Sequence, residues 1–338
     1  MLSVRLTTFN HESFIRAAMD SIFAQQTDFQ VEIVAGDDFS TDKTMDIIRS
    51  YTDTDKVKVT ILNRVPGDTY SKHRKAFGRL HNFFDTLQNC KGEYVAILDG
   101  DDYWADKFKL QKQVDFLNSN KEYMAISSDS RHLRNGELKD TYKEAKESWL
   151  KYSFPRDITY QDILFRAVPH LSTFVFRNKV SFPEKYSSYP IGDLPLFLLL
   201  ADLGKIRFVD EVTSVYRIQP ASAIAELNKR DALGHMKDIN EMVVDVNRFL
   251  GSKYQEHTEA AIIQDYRRLL LDRPSFDLKN RSIRQLNELK EKKILNRFDL
   301  SDRMGLSFAL FRGIFLQSKY ALSSFIRKGA HSLFFAYA

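Results

Sequence analysis

The sequence has little of what usually marks a secreted, membrane-spanning or dinucleotide-binding chain. Its one cysteine, Cys90, cannot form an internal disulfide framework, which suits a reducing compartment. No uninterrupted apolar run approaches the roughly 20 residues that cross a bilayer. The opening MLSVRLTTFN lacks the basic region followed by an apolar stretch that makes a signal peptide. A cytoplasmic location is therefore expected. Glycine-rich phosphate loops are missing as well. The segment TTFNHESF contains no glycine where a dinucleotide fold needs GxGxxG, and nothing matches GxxxxGK[ST]. One region also lacks acid: Arg303 to Ala338 hold Arg303, Arg312, Lys319, Arg327 and Lys328 and no Asp or Glu. Residues 1–302 carry 45 basic and 45 acidic side chains, so the formal charge of +5 belongs to that tail. A nucleic-acid binder would spread its basic patch over a folded domain, so no nucleic acid is expected as a partner.

What is present is an ample core: 43% of the 338 residues are hydrophobic and 13% aromatic, which excludes global disorder. The first half alternates strand and helix patterns. Val4–Thr8, Val31–Ala35, Val57–Leu62, Tyr94–Leu98 and Tyr123–Ser127 read as strands. Helical spacing joins Phe14, Ala18 and Ile22, and also Met45, Ile47 and Ile48, with further helices at Arg79–Asn89 and Lys107–Leu117. Asn10 is the expected cap of the first helix, and Ser40 or Thr41 of the second. Such alternation predicts an α/β fold with a mostly parallel, Rossmann-like sheet and right-handed crossovers. Ligands bind such sheets at the C-terminal ends of the strands. Three strands end there in the polar runs TTFNH, GDDFS and DGDDYW. Asp129 to Asp162 is polar and reads as a loop-rich insertion. Leu171–Asn178 reads as a strand, Asp193 precedes an apolar helix ended by Gly204, and Ile206–Val209 and Val212–Tyr216 are short strands. Helical patterns dominate after about Ala221.

The acidic run at Asp99, Asp101 and Asp102 admits two readings: a solvated turn, or a cation site. A calcium loop is excluded, because its sixth and twelfth positions would fall on Trp104 and Leu110 instead of Gly and Glu. Mg²⁺ or Mn²⁺ shared with a phosphate fits, since such ions take one or two carboxylates and complete their shell with phosphate and water. Asp193 is either an N-cap or a residue aimed at a ligand, and the two roles are compatible. His11 and His170 read as surface or supporting residues more readily than as metal ligands. Cys90 receives no role.

Together these segments resemble the family 2 glycosyltransferases. The resemblance rests on TTFNHESFIRAAMDSI, GDDFSTDKT, GRLHN, GEYVAILDGDDYW, LSTFVFRN and IGDLPLF, in that family's order over about Leu2–Ser222. It implies a GT-A fold, the nucleotide-diphospho-sugar transferase architecture, over residues 1–222, with a nucleotide-sugar half at about 1–128 and an acceptor half at about 129–222. Residues 223–338 would be a mainly helical C-terminal extension ending in a basic amphipathic tail at about 303–338. By resemblance, Thr7 and Phe9 pack on the nucleotide with His11 beyond them, and Asp38 reads the base, typically uracil. Asp99 serves the ribose and metal side, Asp101 binds Mn²⁺ or Mg²⁺, and Asp193 is the general base. The implied reaction is inverting, metal-dependent transfer from a nucleotide sugar, most often a UDP-sugar, to a glycan or lipid-linked acceptor in surface polysaccharide assembly.

The chain departs from the family pattern in two places. Gly192 stands where an acidic residue usually precedes the base. In VYRIQPAS, Gln219 replaces a histidine, leaving Arg217 as the phosphate contact. The QxxRW motif of processive enzymes is absent. The tail suits either an in-plane seat on an anionic inner membrane face or packing on this domain or on another copy in an oligomer. Two other classes compete: a sugar nucleotidyltransferase, which would show a glycine-rich basic loop where HESFIRAA stands, and a non-catalytic nucleotide-sugar-binding module.

Overall fold

A computed structural model describes residues 1–150, 153–154, 156–219 and 223–271. The tail at 303–338 and Pro220–Ser222 lie outside the described residues. The strands are β1 (Leu2–Thr8), β2 (Val31–Asp37), β3 (Val57–Ile61), β4 (Tyr94–Asp99), β5 (Tyr103–Trp104), β6 (Tyr123–Arg134), β7 (Glu137–Thr141), β8 (Asp157–Ile158), β9 (Val175–Arg177) and β10 (Lys205–Arg217). They form one sheet in the order β3-β2-β1-β4-β9-β6-β10-β5, with β7 paired to β6 and β8 to β10.

The expected parallel pairing holds for β1 with β2 and β4, for β2 with β3, and for β6 with β10. The short β9 runs antiparallel between β4 and β6, so the sheet is mixed. Two antiparallel steps restore direction, and β6 and β10 end at the same edge as β1, β2 and β4. Apolar side chains from β1, β2 and β4 meet α1 (Ile15–Phe23) in a core that includes Leu6, Met19, Ile22, Ile33 and Leu98.

Several local expectations are corrected. Asn10 does not cap α1. It sits at φ 53° and its Oδ1 accepts from the Thr41 N–H at 2.8 Å, tying the first loop to the second. Helix α2 (Thr44–Arg49) is preceded by Asp42, whose Oδ1 accepts from the Thr44 N–H at 3.0 Å, so neither Ser40 nor Thr41 caps it. A helix unforeseen in the sequence, α3 (Thr69–Phe77), comes before α4 (Leu80–Gln88). Its polar character hid it, but Asp68 caps it through the Ser71 N–H at 2.7 Å.

The expected loop at Asp129–Asp162 is largely regular. Strand β6 runs on to Arg134, turns into β7, and is followed by α6 (Tyr142–Leu150), β8 and α7 (Tyr160–Leu164). Polar residues can fill β6 because Ser128 Oγ pairs with Thr213 Oγ1 of β10 and Asp129 Oδ1 accepts from the N–H groups of Ser130 and of Lys143 in α6. Ile206–Val209 and Val212–Tyr216 belong to one bulged strand. Helix α5 (Lys109–Ser119) and α8 (Asp193–Leu203) lie where expected. Beyond α8 are α9 (Ala223–Phe249) and α10 (Gln255–Leu271). Met1–Thr258 form one unit, and a second begins at Glu259, of which residues 259–271 are described.

Candidate active site

Register brings the strand-end clusters together. Thr7 pairs with both Gly36 and Asp99, and Thr8 with Asp37, so the ends of β1, β2 and β4 are adjacent. Side chains two apart share a face of a strand. Arg5 and Thr7 accordingly meet the same carboxylate: Arg5 Nη1 and Thr7 Oγ1 each donate to Asp99 Oδ1 at 2.7 Å. Arg5 is 1% exposed, and its guanidinium lies 4.1 Å from the centre of the Phe83 ring. Burial opposes the charge on Asp99, but Arg5 and the Thr7 hydroxyl together hold its carboxyl below the usual value. Thr7 thus faces Asp99, while Phe9 stands with its ring 54% exposed at the same edge.

Gly100 follows because nothing larger fits. A Cβ there would lie 2.6 Å from Thr8 Cγ2 and 2.8 Å from His11 Nδ1. The tight turn places Asp101 at the edge, where burial and the neighbouring Asp99 push its carboxyl up, opposed by the fields of His11 and Arg217. His11 Nδ1 is buried without a partner among the described residues, and Arg217 lies over the rings of Tyr103 and Phe14 at 5.1 and 5.3 Å. Asp102, left without a role by the sequence, turns inward and accepts from the Arg217 N–H at 2.9 Å, bracing β10 against the acidic turn. Burial first, then Asp101 and Asp99, raise Asp102 well above the usual range. Its 3.8 Å approach to His170 Nδ1 is not an ion pair, because burial pulls His170 down to about 3. His170 is a buried wall residue, stacked on Tyr216 with ring centres 4.0 Å apart.

Asp38, at the end of β2, is buried and already engaged. Tyr70 OH donates to its Oδ1 at 2.9 Å, and Arg74 Nε reaches both oxygens at 2.8 Å. Both partners come from α3, the helix that sequence patterning missed. Beneath Asp38, Asn82 of GRLHN donates to the Gly36 carbonyl at 3.0 Å. A Cβ on Gly36 would come within 1.9 Å of Thr86 Oγ1, so glycine lets α4 close onto the strand.

Asp193 is the first residue of α8, one place inside the expected cap position, which Gly192 occupies. Its Oδ1 accepts from the Leu194 N–H at 2.9 Å. Burial raises its carboxyl, opposed first by the Leu194 N–H and its own N–H and then, more weakly, by Lys146 and Arg166. Tyr216 links the two acidic groups. Burial, the Asp99–Asp102 group and Asp193 together push its hydroxyl up to about 12, which keeps it a donor. Tyr142 packs 5.5 Å from His170 and also feels Asp193. Arg5 and Tyr142 had no motif to reveal them, although a charge inside the strand pattern VRLTT signals that a buried partner must exist, while Tyr216 and Asp102 lay in recognised segments without a role.

The donor set has the chemistry of a hard divalent cation. Asp99 Oδ1 is held by Arg5 and Thr7, and the raised carboxyl of Asp101 is the kind of repulsion that a cation relieves. Among the described residues no group of three or more His, Cys, Asp or Glu could hold a metal by protein ligands alone. That suits an ion which takes two carboxylates and completes its shell with substrate phosphate.

Residues 3–177 match the family described as "Glycosyl transferase family 2". An uncharacterized protein of Mycobacterium tuberculosis is 31% identical over 217 residues, which are 64% of this chain and 58% of the relative. This chain thus spans less than two thirds of the length of that relative. A Bacillus subtilis protein named as the teichuronic acid biosynthesis glycosyltransferase TuaG is 28% identical over 221 residues, 64% of this chain and 79% of its own. Among solved structures, S. aureus TarS in complex with UDP-GlcNAc aligns with a TM-score of 0.54 at 18% identity, covering 93% of this chain and 80% of TarS. That likeness carries the fold.

Proposed function

The chain belongs to glycosyl transferase family 2, and from that premise we propose that it transfers a sugar, with inversion, from a nucleotide-diphosphate sugar to an acceptor hydroxyl. The observation that carries this proposal is Asp99, fixed at 2.7 Å by Arg5 and Thr7, with Asp101 two residues on and Asp193 at the start of α8, all acting on Tyr216. One acidic group can face a leaving diphosphate while the other faces the attacking hydroxyl.

Asp99 and Asp101 would hold Mn²⁺ or Mg²⁺, whose Lewis acidity would neutralise the negative charge that develops on the diphosphate. Thr7 and Arg5 keep Asp99 ionised and in one orientation. Phe9 offers an exposed ring to the nucleoside, and Arg217 puts positive charge near Asp101, where phosphates would lie. Asp38 would read the base with the acceptor capacity that Tyr70 and Arg74 leave to it, and a UDP-sugar is the expected donor. Asp193 takes the proton of the acceptor hydroxyl. A base works best when its pKa lies near the working pH, and burial moves Asp193 in that direction. Attack from the face opposite the diphosphate inverts the anomeric centre without a covalent intermediate.

The acceptor proposed is a glycan or lipid-linked saccharide of a surface polysaccharide, a setting named for TuaG. The acid-free tail supports a peripheral seat on an anionic membrane. Loss of vesicle binding on truncation at Arg303 would support that seat, and unchanged binding would remove it. The donor proposal is tested by thermal stabilisation with a panel of nucleotide sugars and Mn²⁺. A shift with a UDP-sugar is expected, and no shift with any UDP, GDP or dTDP sugar would sink it.

A further inference from the structure

The residue that follows Asp38 has an uncommon backbone. Phe39 sits at φ 63°, in the left-handed region that glycine enters freely and a bulky side chain only at a cost. Such conformations persist where surrounding structure holds them, and they cluster at ligand sites. Here the chain is pinned on both sides of Phe39. The Asp38 N–H donates to the Thr8 carbonyl at 2.9 Å, and the Ser40 N–H donates to Asp37 Oδ2 at 2.8 Å. Ser40 Oγ in turn accepts from the Asn10 N–H at 2.8 Å, tying this loop to the one that carries Phe9. Thr8 pairs with Asp37 in parallel register, and continuing that register sets Phe9 beside Asp38, with Phe39 one residue further on.

Core packing does not account for the strain, because the Phe39 side chain is only half-buried. Its ring lies beside that of Tyr70, with centres 5.7 Å apart. Tyr70 is held in turn by the Arg64 guanidinium, 3.7 Å from its ring centre, and by the His81 ring at 5.1 Å. Its hydroxyl donates to Asp38 Oδ1 at 2.9 Å, so the Phe39 ring is placed close to the Asp38 carboxylate. Glycine or asparagine would adopt the same backbone with less strain, so the ring is what this position supplies. Two aromatic side chains, Phe9 exposed and Phe39 half-buried, thus stand at a polar strand edge around one buried carboxylate. A nucleobase has the matching form, with π-faces that stack on aromatic rings and an edge that hydrogen-bonds. We infer that Phe39 is a specificity-determining residue of the donor site, its ring forming with Phe9 the apolar walls that hold the nucleobase at Asp38. This rests on Asp38 reading the base.

The test separates the base from the diphosphate. UDP, dTDP, GDP and, as a base-free control, pyrophosphate are titrated onto the full chain with Mn²⁺ by calorimetry. Whichever nucleotide the wild type binds tightest should bind Phe39→Asn about tenfold more weakly, the scale of one lost base stack. Pyrophosphate should bind both proteins alike, and Phe39→Tyr, which keeps the ring, should bind the nucleotide as the wild type does. The Tm of Phe39→Asn should hold, because asparagine tolerates the left-handed backbone and so offsets the loss of packing on Tyr70. Unchanged nucleotide affinity in Phe39→Asn, or matching losses for nucleotide and pyrophosphate with a fall in Tm, would overturn the inference and leave the donor proposal standing. No binding of any of the four by the wild type would overturn both.

Discussion

The two ends of the strand edge solve opposite electrostatic problems. At one end, three carboxylates crowd into four residues, Asp99 to Asp102, and the fold spends a buried arginine, a threonine and a backbone N–H on holding them apart. At the other, a single carboxylate, Asp193, opens α8 and accepts from the Leu194 N–H. The first end crowds like charges, and that is where the proposed cation would act. The second holds one carboxylate whose charge burial opposes and the Leu194 N–H supports. Tyr216 stands between them and feels both.

The sharpest way to break this contrast is Asp193→Asn. Transfer should fall by about 10²–10⁴-fold, the usual contribution of a positioned base, while nucleotide-sugar binding persists. A raised carboxyl means that the folded state prefers the neutral form, so stability from this group falls as pH rises through its shifted range. The amide should therefore raise Tm slightly as it removes turnover. Loss of donor binding in this variant would merge the two ends and refute the contrast.

Arg5→Met comes next. Removing one partner of a fully buried ion pair costs about 3–5 kcal/mol, and the cost here should be smaller because the Asp99 side chain is 36% exposed. Denaturant unfolding would measure the loss. Mn²⁺ with UDP should recover more stability in this variant than in the wild type, since a bound cation would replace the missing charge.

Gly100→Ala should act only at the acidic end. Its Cβ would meet Thr8 and His11 at 2.6 and 2.8 Å, displacing Asp101. Misplacement of about 1 Å can cost about 100-fold in rate, so kcat/KM should drop. The mildest expected effect is in the pH profile. The acid limb of kcat/KM should lie above the ordinary aspartate value of 3.8, and Lys146→Gln should move it higher still by removing a charge that favours the carboxylate.

The acidic end was largely legible because its residues sit at the ends of hydrophobic strands, where period-2 patterning and parallel topology force convergence. Asp99, Asp101 and Asp38 could be placed that way. Asp102 could not, because its partner is a backbone N–H 115 positions away. Helix α3 escaped because it has one buried side chain, Tyr70, and so no apolar stripe to read. The Asp193 end was legible only as one aspartate before an apolar helix. The charges that act on it come from α6 and the turn after α7, and the polar stretch Asp129–Asp162 gave no hint that it folds. Paired strands β6 and β10 supply the hydrogen bonds that its composition seemed to withhold.

One comparison reaches the centre of the account: binding of UDP with Mn²⁺ to the wild type, Asp101→Asn and Asp193→Asn, followed by calorimetry. Metal-dependent binding should be retained in Asp193→Asn and lost in Asp101→Asn. Equal binding by all three proteins, or loss in Asp193→Asn with retention in Asp101→Asn, would contradict it.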